Sequence, residues 1–125
     1  MNKRAIRILQ DAQAHFQIMQ DHAEKGLDDR LVIDAVCMRL SAGIEALAAL
    51  DPSDREEILG EVWPLMWGMR NRIAHGYLLV DSAIIRETLI QDIPSILSRI
   101  RVPVEQSAAL DNGHSDTGAS EGDRG

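Results

Sequence analysis

The sequence predicts an all-α protein, a bundle of four to five kinked helices. Three observations predict it. Apolar residues recur at three- and four-residue steps through successive stretches of the chain. Capping residues and helix breakers separate those stretches at regular intervals. Aromatics are scarce, Phe16, Trp63, Trp67 and Tyr77 being all there are, so the core must be built from Leu, Ile, Val, Ala and Met. That palette suits helices packing on helices, and 125 residues are one domain's worth of chain.

Residues 3–25 read as the first helix, with Ala5, Ile8, Ala12, Phe16, Met19 and Ala23 on one face and Gly26 as its stop. A second helix runs from Asp28 or Asp29, either of which can cap it, to Leu50. Ile33, Val36, Leu40, Ile44 and Leu47 form its apolar stripe. Ser41, Ala42, Gly43 and Ala46 form a second face of small side chains, open to a close neighbour from this chain or from another copy. Ser53 and Glu56 make a capping-box pattern that starts a third helix at Asp54. Pro64 either kinks that helix or sits in the first turn of a new one, and both readings continue helically to His75. Gly76 fits a C′ glycine. Asp81 or Ser82 caps the last helix, lined by Ile85, Leu89, Ile93, Ile96 and Ile100, kinked at Pro94 and closed by Pro103.

Residues 1–103 thus form the expected helical domain. Residues 104–125 are rich in Gly, Ser, Asp and Glu with few large apolar side chains, the composition of a disordered acidic tail. The net charge of −7 opposes a protein that coats nucleic acid by bulk attraction. Over half of the excess lies in residues 105–125, which carry a net −4, so a local basic site on the body remains open. Cys37 is the only cysteine, and no Cys/His cluster has zinc spacing. No stretch approaches the roughly 20 apolar residues that span a bilayer. The N-terminus is charged and amphipathic. A cytoplasmic protein without membrane partners is the expectation.

Chemistry concentrates in Arg70-Asn71-Arg72-Ile73-Ala74-His75-Gly76-Tyr77. On a helix, Asn71 and His75 are i,i+4 neighbours, whereas Arg70 and His75 lie about 140° apart around the axis. An imidazole can move protons at neutral pH, and a guanidinium can hold phosphate oxygens and stabilise charge that develops on them. With RNA the nucleophile is already present as the 2′-OH, so this chemistry needs neither metal nor cofactor. The plainer alternative is capping, since bases followed by glycine are ordinary at a helix C-terminus.

Gly68 to Tyr77, with Val80-Asp81 and Asp92-Ile93-Pro94 after it, resembles the HepT-like branch of the HEPN proteins. The family motif is arginine, four residues, histidine, one residue, tyrosine; Arg70, His75 and Tyr77 match each place. The likeness covers roughly residues 3–103 and is specific over 63–94. It implies a helical homodimer whose two motifs line a shared cleft, acting as a metal-independent ribonuclease toxin. It also implies a partner antitoxin, a minimal nucleotidyltransferase that silences the toxin by attaching AMP to the tyrosine. Arg70 and His75 then become catalytic, Asn71 and Arg72 supporting, and Tyr77 the modification target. Two alternatives stand beside this: a non-catalytic HEPN subunit that presents nucleotide or substrate to a nucleotidyltransferase, and a plain helical interaction module. In this chain Pro64 follows Trp63, where the family often places a proline before it.

Other candidates read more simply. His15 and His22 are seven residues apart, a poor metal spacing, and read as partly exposed surface. Cys37 reads as a small core or interface residue, and Trp63 with Trp67 as packing more than as a base-stacking platform. Glu45, a single acid on a small apolar face, either pairs with Arg70 or Arg72 to orient the site or is an exposed helix carboxylate.

Overall fold

The computed structural model describes residues 1–76 and 81–122, with side chains described up to residue 111. Its elements are six helices: α1 (Lys3–Ala23), α2 (Arg30–Ala48), α3 (Pro52–Ile58), α4 (Val62–Gly76), α5 (Ser82–Gln91) and α6 (Ile93–Gly122). No strand occurs among the described residues, so the all-α class holds. α1 and α2 pack along each other as the main pair, α6 covers α1, α4 leans on α2, and α5 bridges α2 and α6.

The helix starts follow from short polar side chains that accept otherwise unpaired backbone N–H groups. Asn2 accepts from Ala5, Asp29 from Leu31 and Asp81 from Ala83, at 2.8, 2.9 and 2.9 Å. After α1, Gly26 turns the chain at φ 109°, a region that glycine enters without steric cost. The C-terminal carbonyls of α2 are met by cations, Arg4 donating to Ala49 O and Arg55 to Ala48 O and Leu50 O.

The core is one cluster of aliphatic and methionine side chains around Phe16. The predicted stripe of the second helix, Ile33, Val36, Leu40, Ile44 and Leu47, is buried in full. On α1 the buried face is turned slightly from the expected one, and includes Ile6 and Leu9. Gly43 explains the tight α1–α2 approach, because a Cβ there would run into the Phe16 ring. Thr88, the buried polar side chain of the core, donates back to Ile84 O at 2.9 Å.

Four local expectations need correction. The capping box at Ser53 does not form. α3 begins earlier, at Pro52, whose ring already holds the φ of a first helical turn, and Asp51 takes the cap position without a side-chain hydrogen bond. The third helix, expected from its apolar residues to run through Ile58 and Leu59 to Val62, stops at Ile58. Gly60, at φ 52°, ends α3 with its N–H reaching Arg55 O at 3.3 Å, and Pro64 falls in the first turn of α4. Gly76 stays within α4 and is not at positive φ, since glycine permits a left-handed turn without requiring one. The last helix is two, broken at Asp92 just before Pro94, and α6 continues through Pro103 to Gly122. Residues expected to begin the tail therefore start inside α6, where Val104 still packs on the core. Among the described residues no helix is long and apolar enough to cross a membrane.

Candidate active site

α4 carries the site and Ile73 fastens it, buried toward α2. From that anchor, helical periodicity puts Trp63, Trp67 and Arg70 in line at i, i+4 and i+7. The two indoles stack with centroids 5.5 Å apart and planes 29° from parallel. Each carries a guanidinium on its ring, Arg55 over Trp63 and Arg70 over Trp67, both at 4.9 Å. Both tryptophans are half-buried against the core, as packing predicts, yet Trp67 also seats the motif arginine. The three-residue step from Trp67 to Arg70 was the available signal for that second role.

Arg70 is the best-held polar group of the motif. Its Nε donates to Glu45 Oε1 at 2.8 Å, and Nη2 donates to the same oxygen. Its Nη1 donates to Asn71 Oδ1 at 3.1 Å. Glu45 projects from α2, so the arginine is fixed by two helices at once. Of the readings considered for Glu45, the pairing with Arg70 is present, on a carboxylate that is also exposed. The Arg70 side chain is 25% exposed and Glu45 50%, so solvent screens this pair and its worth to stability is of order 1 kcal/mol or less. A pair that contributes so little to folding does more to fix a direction than to hold the fold.

The remaining motif residues divide. Asn71 is half-buried and committed to Arg70. Arg72 and His75 are exposed, and among the described residues neither side chain makes a hydrogen bond or ion pair. Arg70 and His75 thus share no hydrogen bond within one chain, in keeping with the angle between them around the helix. Tyr77, the expected modification target, lies outside the described residues. Elsewhere, His15 Nδ1 accepts from Arg39 at 3.3 Å, and burial pushes the Cys37 thiol up from its ordinary range, with Arg30 lowering it in part. Among the described residues no three His, Cys, Asp or Glu side chains gather as a metal would need.

Beside the site, α2 and α4 border an open groove of about 380 Å³ lined by Asp34, Met38, Ser41, Ala42, Glu45 and Ile73. The small face of α2 is therefore split. Gly43 receives Phe16 of the same chain, while Ser41 and Ala42 look outward beside Met38, which is 71% exposed.

In chemical terms the surface offers a held guanidinium, a solvent-open imidazole five residues on, and a groove bordered by the Glu45 that holds the guanidinium. That set can bind an anionic phosphodiester and move protons near it. Residues 4–102 match the family model described as ribonuclease HepT-like. No curated protein and no solved structure matches the chain.

Proposed function

The chain belongs to the ribonuclease HepT-like family, and from that premise we propose that it is a metal-independent endoribonuclease toxin with Arg70 and His75 as its catalytic residues. The observation that carries this is the Arg70 guanidinium, held midway along α4 by Glu45 and Asn71, with His75 open to solvent in the last turn. In the proposed reaction an RNA 2′-oxygen attacks the neighbouring phosphorus, the O2′–P bond forms and the P–O5′ bond breaks. An imidazole takes the 2′-OH proton, and an imidazolium gives one to the departing 5′-oxygen. Arg70 stabilises charge gathering on the phosphate oxygens, and Arg72 adds attraction for the backbone.

A homodimer supports that division of labour. The groove with Met38, Ala42 and Ile73 is an apolar face for a second copy, and pairing there sets two motifs beside one cleft. The separation of Arg70 from His75 within one chain is then met by the two copies together. The proposed antitoxin is a minimal nucleotidyltransferase that transfers AMP from ATP to the Tyr77 hydroxyl, with pyrophosphate leaving.

The test is RNA cleavage by purified protein in excess chelator. Activity is expected there, and Arg70→Ala or His75→Ala should each lower it by about a hundredfold or more. Cleavage that persists in both variants overturns the assignment. Co-expression with an adjacent nucleotidyltransferase should add mass in multiples of AMP, lost in Tyr77→Phe. The second reading, a non-catalytic HEPN subunit, is favoured by the lack of contact between His75 and Arg70. It predicts a tight complex with that partner and no RNA cleavage.

A further inference from the structure

Glu45 lies on α2, outside the motif, and its carboxylate governs where the Arg70 charge points. A guanidinium has five N–H donors. Three are taken among the described residues: Nε and one on Nη2 by Glu45 Oε1, and one on Nη1 by Asn71 Oδ1. One N–H therefore remains on each terminal nitrogen. With Asn71 on the Nη1 hydrogen that lies toward Cδ, the two left are the end-on pair with which arginine grips a phosphate bidentately. The Trp67 ring backs the guanidinium at 4.9 Å and limits its movement out of that plane.

We propose that Glu45 and Trp67 are positioning residues for RNA cleavage: together they set Arg70 so that its two open N–H groups face the scissile phosphate. This rests on the ribonuclease reading above. Two other roles for Glu45 are distinguishable from it. As a lock, Glu45 would have to leave before phosphate could bind, but the two open donors make its departure unnecessary. As a general base, Glu45 would need its charge. For positioning it needs only an oxygen that accepts from Nε and Nη2, which a glutamine amide also has.

The decisive comparison is Glu45→Ala against Glu45→Gln, with kcat and KM measured across pH. Positioning predicts that Glu45→Ala loses about ten- to a hundredfold, mainly in kcat, because a misdirected charge fails the transition state more than the ground state. It predicts that Glu45→Gln recovers to within about fivefold of wild type and that the pH profile keeps its shape. A glutamine variant as poor as the alanine one, with the acid limb of the profile gone, would make Glu45 a general base and overturn the proposal. Faster cleavage by Glu45→Ala would make it a lock, with the same consequence.

A second readout does not depend on RNA. In a Trp63→Phe background Trp67 is the sole tryptophan, and its emission reports on the cation against its ring. Arg70→Ala and Glu45→Ala should each shift that emission, and Glu45→Ala should add nothing once Arg70 is gone. Emission that ignores both changes removes the socket while leaving the ribonuclease reading intact. A responsive socket in a protein that cleaves no RNA removes the ribonuclease reading, and the positioning role falls with it.

Discussion

Gly43 and Gly68 show how one residue type takes opposite meanings in two helices. At Gly43 a Cβ would meet the buried Phe16 ring, whereas at Gly68 it would find nothing within 4 Å. Glycine inside a helix costs roughly 0.5–1 kcal/mol against alanine, and overpacking a core costs about 1–3 kcal/mol. Overpacking wins at the first site. We expect Gly43→Ala to destabilise by about 1–2 kcal/mol and Gly68→Ala to stabilise by about 0.5–1 kcal/mol, both read from urea midpoints at unchanged slope. Cys37 belongs to the same scale. It is buried, and burial holds its proton more tightly than in the unfolded chain. Its contribution to stability is therefore intact below the ordinary thiol pKa and is lost as pH rises through the raised one. A thiol reagent should label Cys37 at neutral pH only after denaturant is added. Fast labelling of the native protein would contradict that burial. Both residues were only half legible beforehand: small side chains on a helix announce a close neighbour but not which one, and Gly43 turned inward while Ala42 did not.

At the level of elements, caps and breaks decide how α4 is aimed. Gly60 is at φ 52°, where a side chain costs roughly 1–2 kcal/mol. Gly60→Ala should destabilise by that amount, and circular dichroism should show helix content nearly unchanged, because the strain sits in the link between α3 and α4. Asp81→Ala removes the acceptor for Ala83 N–H and should cost about 1 kcal/mol. The N-caps at Asp29 and Asp81 were legible because a cap is a local exchange between one side chain and a backbone N–H two residues on. The start of α3 was misplaced because two local signals competed and Pro52 prevailed over Ser53. The stop at Gly60 was overlooked because Pro64, four residues later, is the louder breaker, and a proline in a first turn breaks nothing.

For the whole molecule, the proposed homodimer makes a prediction at the α2 face. The α2 face around Met38 is apolar, exposed and adjacent to the motif. Met38→Glu should turn a dimer into a monomer in light scattering after gel filtration, and should lower RNA cleavage with it while the folded monomer keeps its helix signal. A monomeric wild-type chain that cleaves RNA at full rate would remove the shared cleft. The buried core ends with Ile100, and Val104 packs against it from the next turn of α6. Residues 112–125 contain no large apolar side chain. Removing them should leave the melting temperature within about 2 °C, since little apolar burial depends on them.

By itself the sequence determined the helical class, the apolar stripes and, to within one residue, the caps of α2 and α5. Each of those is written in spacings of four residues or fewer along one helix, where periodicity and local hydrogen bonding leave few alternatives. Only the tertiary structure decided that Glu45 holds Arg70. That depends on how α2 crosses α4 and on rotation about each helix axis, and Glu45 and Arg70 are 25 residues apart in sequence. No spacing along the chain records a contact made between two helices. It follows from which side chains the shared core allows to meet.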